Sequence, residues 1–91
     1  MELVEQLVDV TAVEVIGEHR LRLTFADGVV GDVDFAGRDW RGVLAPLADA
    51  DYFARVAVDA EAGTIAWPNG VDFAPEPLYD EARRNRLERQ G

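Results

Sequence analysis

The sequence predicts an α+β domain: a small antiparallel sheet of about five strands, a meander plus a second hairpin, with a C-terminal helix. Three observations carry that prediction. Apolar and polar residues alternate strictly through Arg20–Phe25, and in 29–35 Val29, Val33 and Phe35 share a face opposite Asp32 and Asp34. Glycine-marked turns at Asp27-Gly28, Ala62-Gly63 and Asn69-Gly70 break the chain into short runs. One helix signature stands near the end, where Pro77 precedes early acids and late arginines. At 91 residues the chain is one domain, residues 1–91.

Taken in order, residues 2–9 carry Leu3, Val4, Leu7 and Val8 at a spacing that suits either a helical turn or an extended lead-in. Val10–Ile16 is the first strand, and a Gly17-Glu18-His19 turn sets Val15 against Leu21 and Val13 against Leu23. The next register follows from matching faces. A two-residue loop at Asp27-Gly28 sets Leu23 against Asp32 and fails. A three-residue loop, Ala26-Asp27-Gly28, sets Phe25 against Val29 and Leu21 against Val33, with Arg22 opposite Asp32 and Arg20 opposite Asp34. Gly28 then takes the left-handed conformation that such a turn requires.

Gly37, Gly42 and Pro46 punctuate 37–53, so Leu44, Leu47, Tyr52 and Phe53 are expected to tuck under the sheet on short helical turns. Arg55–Asp59 and Thr64–Trp67 form the second hairpin, with Val58 facing Ile65 and Val56 facing Trp67. Residues before proline avoid the helical region, so Ala74 and Glu76 are expected to be extended and Pro77 to open the helix. Residues 80–91 are its arginine-rich, fraying end, with Leu78, Tyr79, Ala82 and Leu87 as the packing face.

Composition narrows the function. The formal charge is −9, and all nine bases are arginine. Residues 1–79 hold 15 acids against five arginines, a net of −10. Such a body repels phosphate backbones, which makes nucleic acid a poor partner; it suits a small basic protein by complementary steering, while the plainer reading is that the acidic surface keeps a small protein soluble. Without cysteine there is neither a disulfide nor a thiolate metal site, as suits a cytoplasmic protein. Residues 1–10 carry three acids and no base, unlike a secretory leader, and no apolar run is long enough to span a membrane.

No catalytic constellation is legible, so the chain reads as non-enzymatic, with no cofactor. It has one histidine, no serine and no cysteine. His19 falls in a tight turn and is expected to be solvated. Asp32 and Asp34 share a strand face, where pairing with Arg22 and Arg20 is favoured over holding a cation. Arg83, Arg84, Arg86 and Arg89 could contact nucleic acid, but they suit the C-terminal end of a helix dipole better. The strongest claim belongs to Trp67–Tyr79. Pro68-Asn69-Gly70 is a turn with a mechanism, Asp72 can accept from backbone amides ahead of it, and Pro75 and Pro77 stiffen the approach to the helix. An architectural corner, with Trp67, Phe73 and Leu78 in the core, is one reading. The other has Asn69, Asp72, Glu76 and Tyr79 presenting a fixed polar patch to a partner.

The Leu21–Gly28 hairpin, Pro46-Leu47, Phe53, Trp67-Pro68-Asn69-Gly70-x-Asp72 and Pro75-Glu76-x-Leu78-Tyr79 together resemble the bacterial family called domain of unknown function 2442, over roughly Val10 to Tyr79. Pro77 departs from the family pattern, which has a small or hydroxyl residue there, and is expected to shift the helix start. The resemblance implies a small α+β fold and membership of a two-gene, toxin–antitoxin-like pair, as the neutralising partner of a small protein encoded nearby. Some relatives carry a helix-turn-helix domain after this one; the chain stops at Gly91, which argues against direct operator binding. Three roles follow: an interaction module, a regulatory nucleic-acid binder through Arg83–Arg89, and a metal-dependent accessory protein or enzyme using Asp32, Asp34 or Asp72. Open sheet edges make a homodimer plausible beside any of them.

Overall fold

The computed structural model describes residues 9–86. The lead-in before Asp9 and the tail from Leu87, including Arg89, lie outside the described residues. Strands β1 (Val10–Gly17), β2 (Arg20–Phe25) and β3 (Val30–Asp34) form one antiparallel sheet in that order. A 3₁₀ segment (Gly42–Ala48) and a one-turn helix α1 (Ala50–Phe53) cross to a second antiparallel pair, β4 (Ala57–Asp59) and β5 (Thr64–Ala66). Helix α2 (Pro75–Arg84) follows. The five expected strands are present, divided three and two between separate sheets.

Face matching sets the central register. Leu21 lies opposite Val33, Arg22 opposite Asp32 and Arg20 opposite Asp34. The Phe25 amide donates to the Val29 carbonyl at 2.9 Å, and the Gly28 amide returns to the Phe25 carbonyl at 2.9 Å. Gly28 has φ +94°, as the three-residue turn demands. In the second hairpin Val58 lies opposite Ile65, and the paired strands stop at Ala57 and Ala66, short of Val56 and Trp67.

The first turn differs from expectation. Val15 and Val13 do face Leu21 and Leu23, but Gly17, not Ile16, pairs with Arg20. One residue is bulged out, and the turn shrinks to Glu18-His19. Neither residue has positive φ, so the turn is not one of the primed types that match strand twist. The adjacent bulge supplies the extra twist instead.

The core lies between the inner face of β1–β3 and everything after it. Phe35 is fully buried among aromatic rings, with centroids of Phe53 and Phe73 each 5.4 Å away and that of Trp67 at 6.5 Å. The Trp67 Nε1–H donates to the Phe53 carbonyl at 2.8 Å, so the buried indole is satisfied. Buried Thr64 likewise donates its hydroxyl to the Phe73 carbonyl at 2.6 Å.

Helix α2 starts earlier than the proline rule suggests. Ala74 is extended (ψ 138°) as expected, but Pro75 is the first helical residue and Glu76 lies inside the first turn. Proline at the third helical position costs no hydrogen bond, because the first four amides have no intrahelical acceptor. The helix packs on β3 at Gly31, where a Cβ would sit 2.6 Å from the Ala82 carbonyl carbon. Only glycine permits that approach. Helix side chains also meet the outer edge of β3: Glu81 accepts from the Asp34 amide at 3.1 Å, and the Asn85 side-chain amide donates to the Asp32 carbonyl at 3.0 Å.

Candidate partner-binding surface

The Trp67–Val71 corner repeats the geometry of the Phe25–Val29 turn. In each, the glycine amide bonds back to the aromatic residue's carbonyl, and the aromatic amide donates to the valine carbonyl. In each, the glycine has positive φ, +94° at Gly28 and +88° at Gly70. The Asp27 and Asn69 side chains both accept from the amide two residues ahead, at 3.0 and 3.1 Å. This shared Asx lock explains why Asn69-Gly70 and Asp27-Gly28 occur in equivalent contexts.

Asn69 makes a second bond, donating its side-chain amide to the Val43 carbonyl at 3.3 Å. The corner is thereby pinned to the 3₁₀ segment. An open groove of about 450 Å³ lies between them, with Val43, Leu44, Val71 and Phe73 supplying apolar lining and Asn69 and Asp72 its polar rim. Val43 is 74% exposed, the most exposed large apolar side chain among the described residues. Asp72 is exposed and extends the second sheet by one bridge to Ala66. Its carboxylate accepts no backbone amide among the described residues, contrary to expectation; the lock that closes this turn comes from Asn69 instead. No other described residue engages that carboxylate.

Thus Asn69 and Asp72 are brought together on one groove. Glu76 is exposed in the first turn of α2, where its charge complements the helix dipole. Tyr79 is directed elsewhere. Its ring meets Phe25 edge-on at 5.1 Å, its hydroxyl donates to the Asp27 carboxylate, and the Arg83 guanidinium lies 5.8 Å from its ring centre. That hydrogen bond holds the Asp27 carboxyl below its ordinary range and raises the Tyr79 hydroxyl above its own. Val43 could not be singled out from sequence, because nothing in an irregular run marks which apolar residue stays outside.

The other candidates are placed as follows. Asp32 is held by Arg22, whose Nε lies 2.9 Å from Oδ1, while Asp34 turns aside to accept from the Ala36 amide at 2.9 Å. Arg20 and Asp34 are strand partners but form no ion pair, since that local turn captures the carboxylate. Arg83 and Arg84 are exposed beside Asp80, while Arg86 pairs with Gly31 in an isolated bridge just past the helix. Among the described residues, no three of His, Asp and Glu converge as metal ligands would.

His19 is not solvated as its turn position suggests. Its Nε2 lies 2.8 Å from the Leu47 carbonyl, and its ring packs 4.8 Å from Phe53 and 5.6 Å from Trp40. Turn context described only its backbone; the crossover folds back and covers the ring. No described helix is long and apolar enough to cross a membrane.

Fold and surface together define a small α+β domain with a braced corner and an acid-rimmed apolar groove. Residues 10–84 match the family model described as protein of unknown function (DUF2442), and the chain belongs to that family. No curated protein and no solved structure matches it.

Proposed function

We propose that this protein is a non-enzymatic interaction module that covers a small basic protein, as the neutralising partner of a toxin–antitoxin-like pair in the cytoplasm. The observation that carries this reading is the groove beside the Asn69 corner. Exposed Val43 and an Asp72 carboxylate that no described residue engages lie together where a turn locked by three internal hydrogen bonds is pinned by a fourth to the Val43 carbonyl. A surface that is rigid before binding loses little entropy on docking. An apolar anchor beside an exposed carboxylate suits a partner side chain that is apolar along its stem and cationic at its tip. The net charge of −9 adds long-range attraction for a basic protein.

The test is affinity capture of the tagged chain from its native cells at low salt. The expected result is a stoichiometric small basic protein, retained by the wild type and lost from Val43→Asp and Asp72→Ala variants that fold normally. Recovery of the chain alone, or a partner indifferent to both substitutions, overturns the reading.

A further inference from the structure

The two edges of the three-stranded sheet are treated differently. Along β2, the Phe25 amide bonds to Val29 and the His19 carbonyl accepts from the Phe35 amide, so odd-numbered residues bond toward β3 and even-numbered ones toward β1. Glu14, opposite Arg22, therefore bonds inward, and the amides and carbonyls of Val13 and Val15 point away from the sheet. No described group pairs with them. Glu81 and Asn85 close the far edge, on β3; on β1 the Val10 amide donates to the Gly63 carbonyl at 3.0 Å, and no described group closes the stretch around Val13 and Val15. Bulges on either side, at Thr11 and Ile16, confine the open stretch to a few residues. Val15 within it is 40% exposed.

Charge identifies what the edge accepts. Glu14, Arg22 and Asp32 stand side by side across the three strands, acid, base, acid. Arg22 forks onto Asp32, which leaves Glu14 at the edge with no ion pair among the described residues. A fourth strand carrying a cation opposite Glu14 continues the alternation. A second copy of this chain does not fit. Pairing two β1 strands antiparallel through both valines places Glu14 against its own symmetry mate, in the closer kind of cross-strand pair.

We infer that the β1 edge receives, by antiparallel strand addition, an extended segment of a basic partner protein, with an arginine or lysine opposite Glu14 and an apolar residue on either side. This surface is separate from the Asn69 groove and stands or falls independently of it.

The experiment is a titration of the isotopically labelled full chain, followed by amide NMR shifts, with two end-capped pentapeptides, Thr-Val-Arg-Val-Thr and Thr-Val-Glu-Val-Thr. Shifts centred on Val13 and Val15 are expected, with about threefold or greater preference for the arginine peptide, the scale of one cross-strand charge pair. Glu14→Arg reverses the preference. Val13→Pro removes an amide that faces outward and abolishes binding of both peptides. Asp72→Ala leaves binding unchanged, so failure of the groove and failure of the edge are read separately. Shifts elsewhere, no shift at millimolar peptide, or an unreversed preference in Glu14→Arg overturns the proposal. So does a concentration-dependent dimer in sedimentation that Val13→Pro abolishes, which assigns the edge to a second copy.

Discussion

Gly31→Ala tests the packing of α2 most sharply. A Cβ at Gly31 would lie 2.6 Å from the Ala82 carbonyl carbon and 2.8 Å from its Cα, and closer still to the oxygen. The obstruction is helix backbone, so no rotamer change relieves it. The helix must lift by roughly 1 Å to restore ordinary contact distances near 3.5–4.0 Å. Lifting it loosens buried Leu78 and Ala82 and stretches the Glu81 and Asn85 bonds to β3. Full release of Leu78 is worth about 1.5–3 kcal/mol, and each bond about 0.5–1.5 kcal/mol. A partial lift therefore costs on the order of 3 kcal/mol, less about 0.4–1 kcal/mol because alanine stiffens the unfolded chain. At about 4–8 °C per kcal/mol for a domain this size, Tm falls by roughly 8–20 °C. Urea unfolding followed by circular dichroism measures the loss. Gly28→Ala is the control: open space surrounds it, and only the φ of +94° resists substitution, at about 1–2 kcal/mol. If Gly31→Ala melts within 0.5 kcal/mol of wild type, roughly the noise of a neutral surface change, the close helix–strand approach is wrong.

Three further outcomes follow from the same contacts. Trp67→Phe removes the bond to the Phe53 carbonyl and opens space beside Phe35, and urea titration should show a loss of roughly 2–3 kcal/mol. His19→Ala separates the first turn from the crossover; a loss of about 1–2 kcal/mol is expected, with larger NMR shifts at Leu47 and Phe53 than in the second hairpin. The Tyr79–Asp27 bond makes a pH-dependent contribution. Asp27 titrates lower when folded, so its share is present above the unfolded carboxyl value, about 3.9, and is lost as pH falls through the folded value. Tyr79 titrates higher when folded, so its share is present below about 10 and is lost as pH rises through the folded value. In Tyr79→Phe, the Asp27 carboxyl followed by NMR should return toward its ordinary range; an unmoved titration removes the bond from the account.

Local chemistry alone determined much of this protein. Alternation along Arg20–Phe25, with Val29, Val33 and Phe35 sharing a face of the next strand, leaves one register that keeps Leu21, Phe25 and Val33 on one face, and a slip of one residue would expose them all. Asp-Gly and Asn-Gly mark their turns because glycine alone tolerates positive φ cheaply and Asx side chains close the loop. Trp67 and Leu78 were legible as core, and the corner as rigid, from residues adjacent in sequence. Tertiary structure decided what depends on distant segments meeting. His19 is covered because the crossover returns to it 28 residues later, and Tyr79 turns from the groove because Asp27, 52 residues away, accepts its hydroxyl. Nothing adjacent in sequence sets Gly31 apart; it is required because the α2 backbone at Ala82 lies against it. The groove exists because Asn69 reaches Val43 across 26 residues, and the two sheet edges differ because α2 lies along only one of them. Periodicity and turn chemistry act between neighbours in the chain; burial, closed edges and grooves arise only from the full three-dimensional packing.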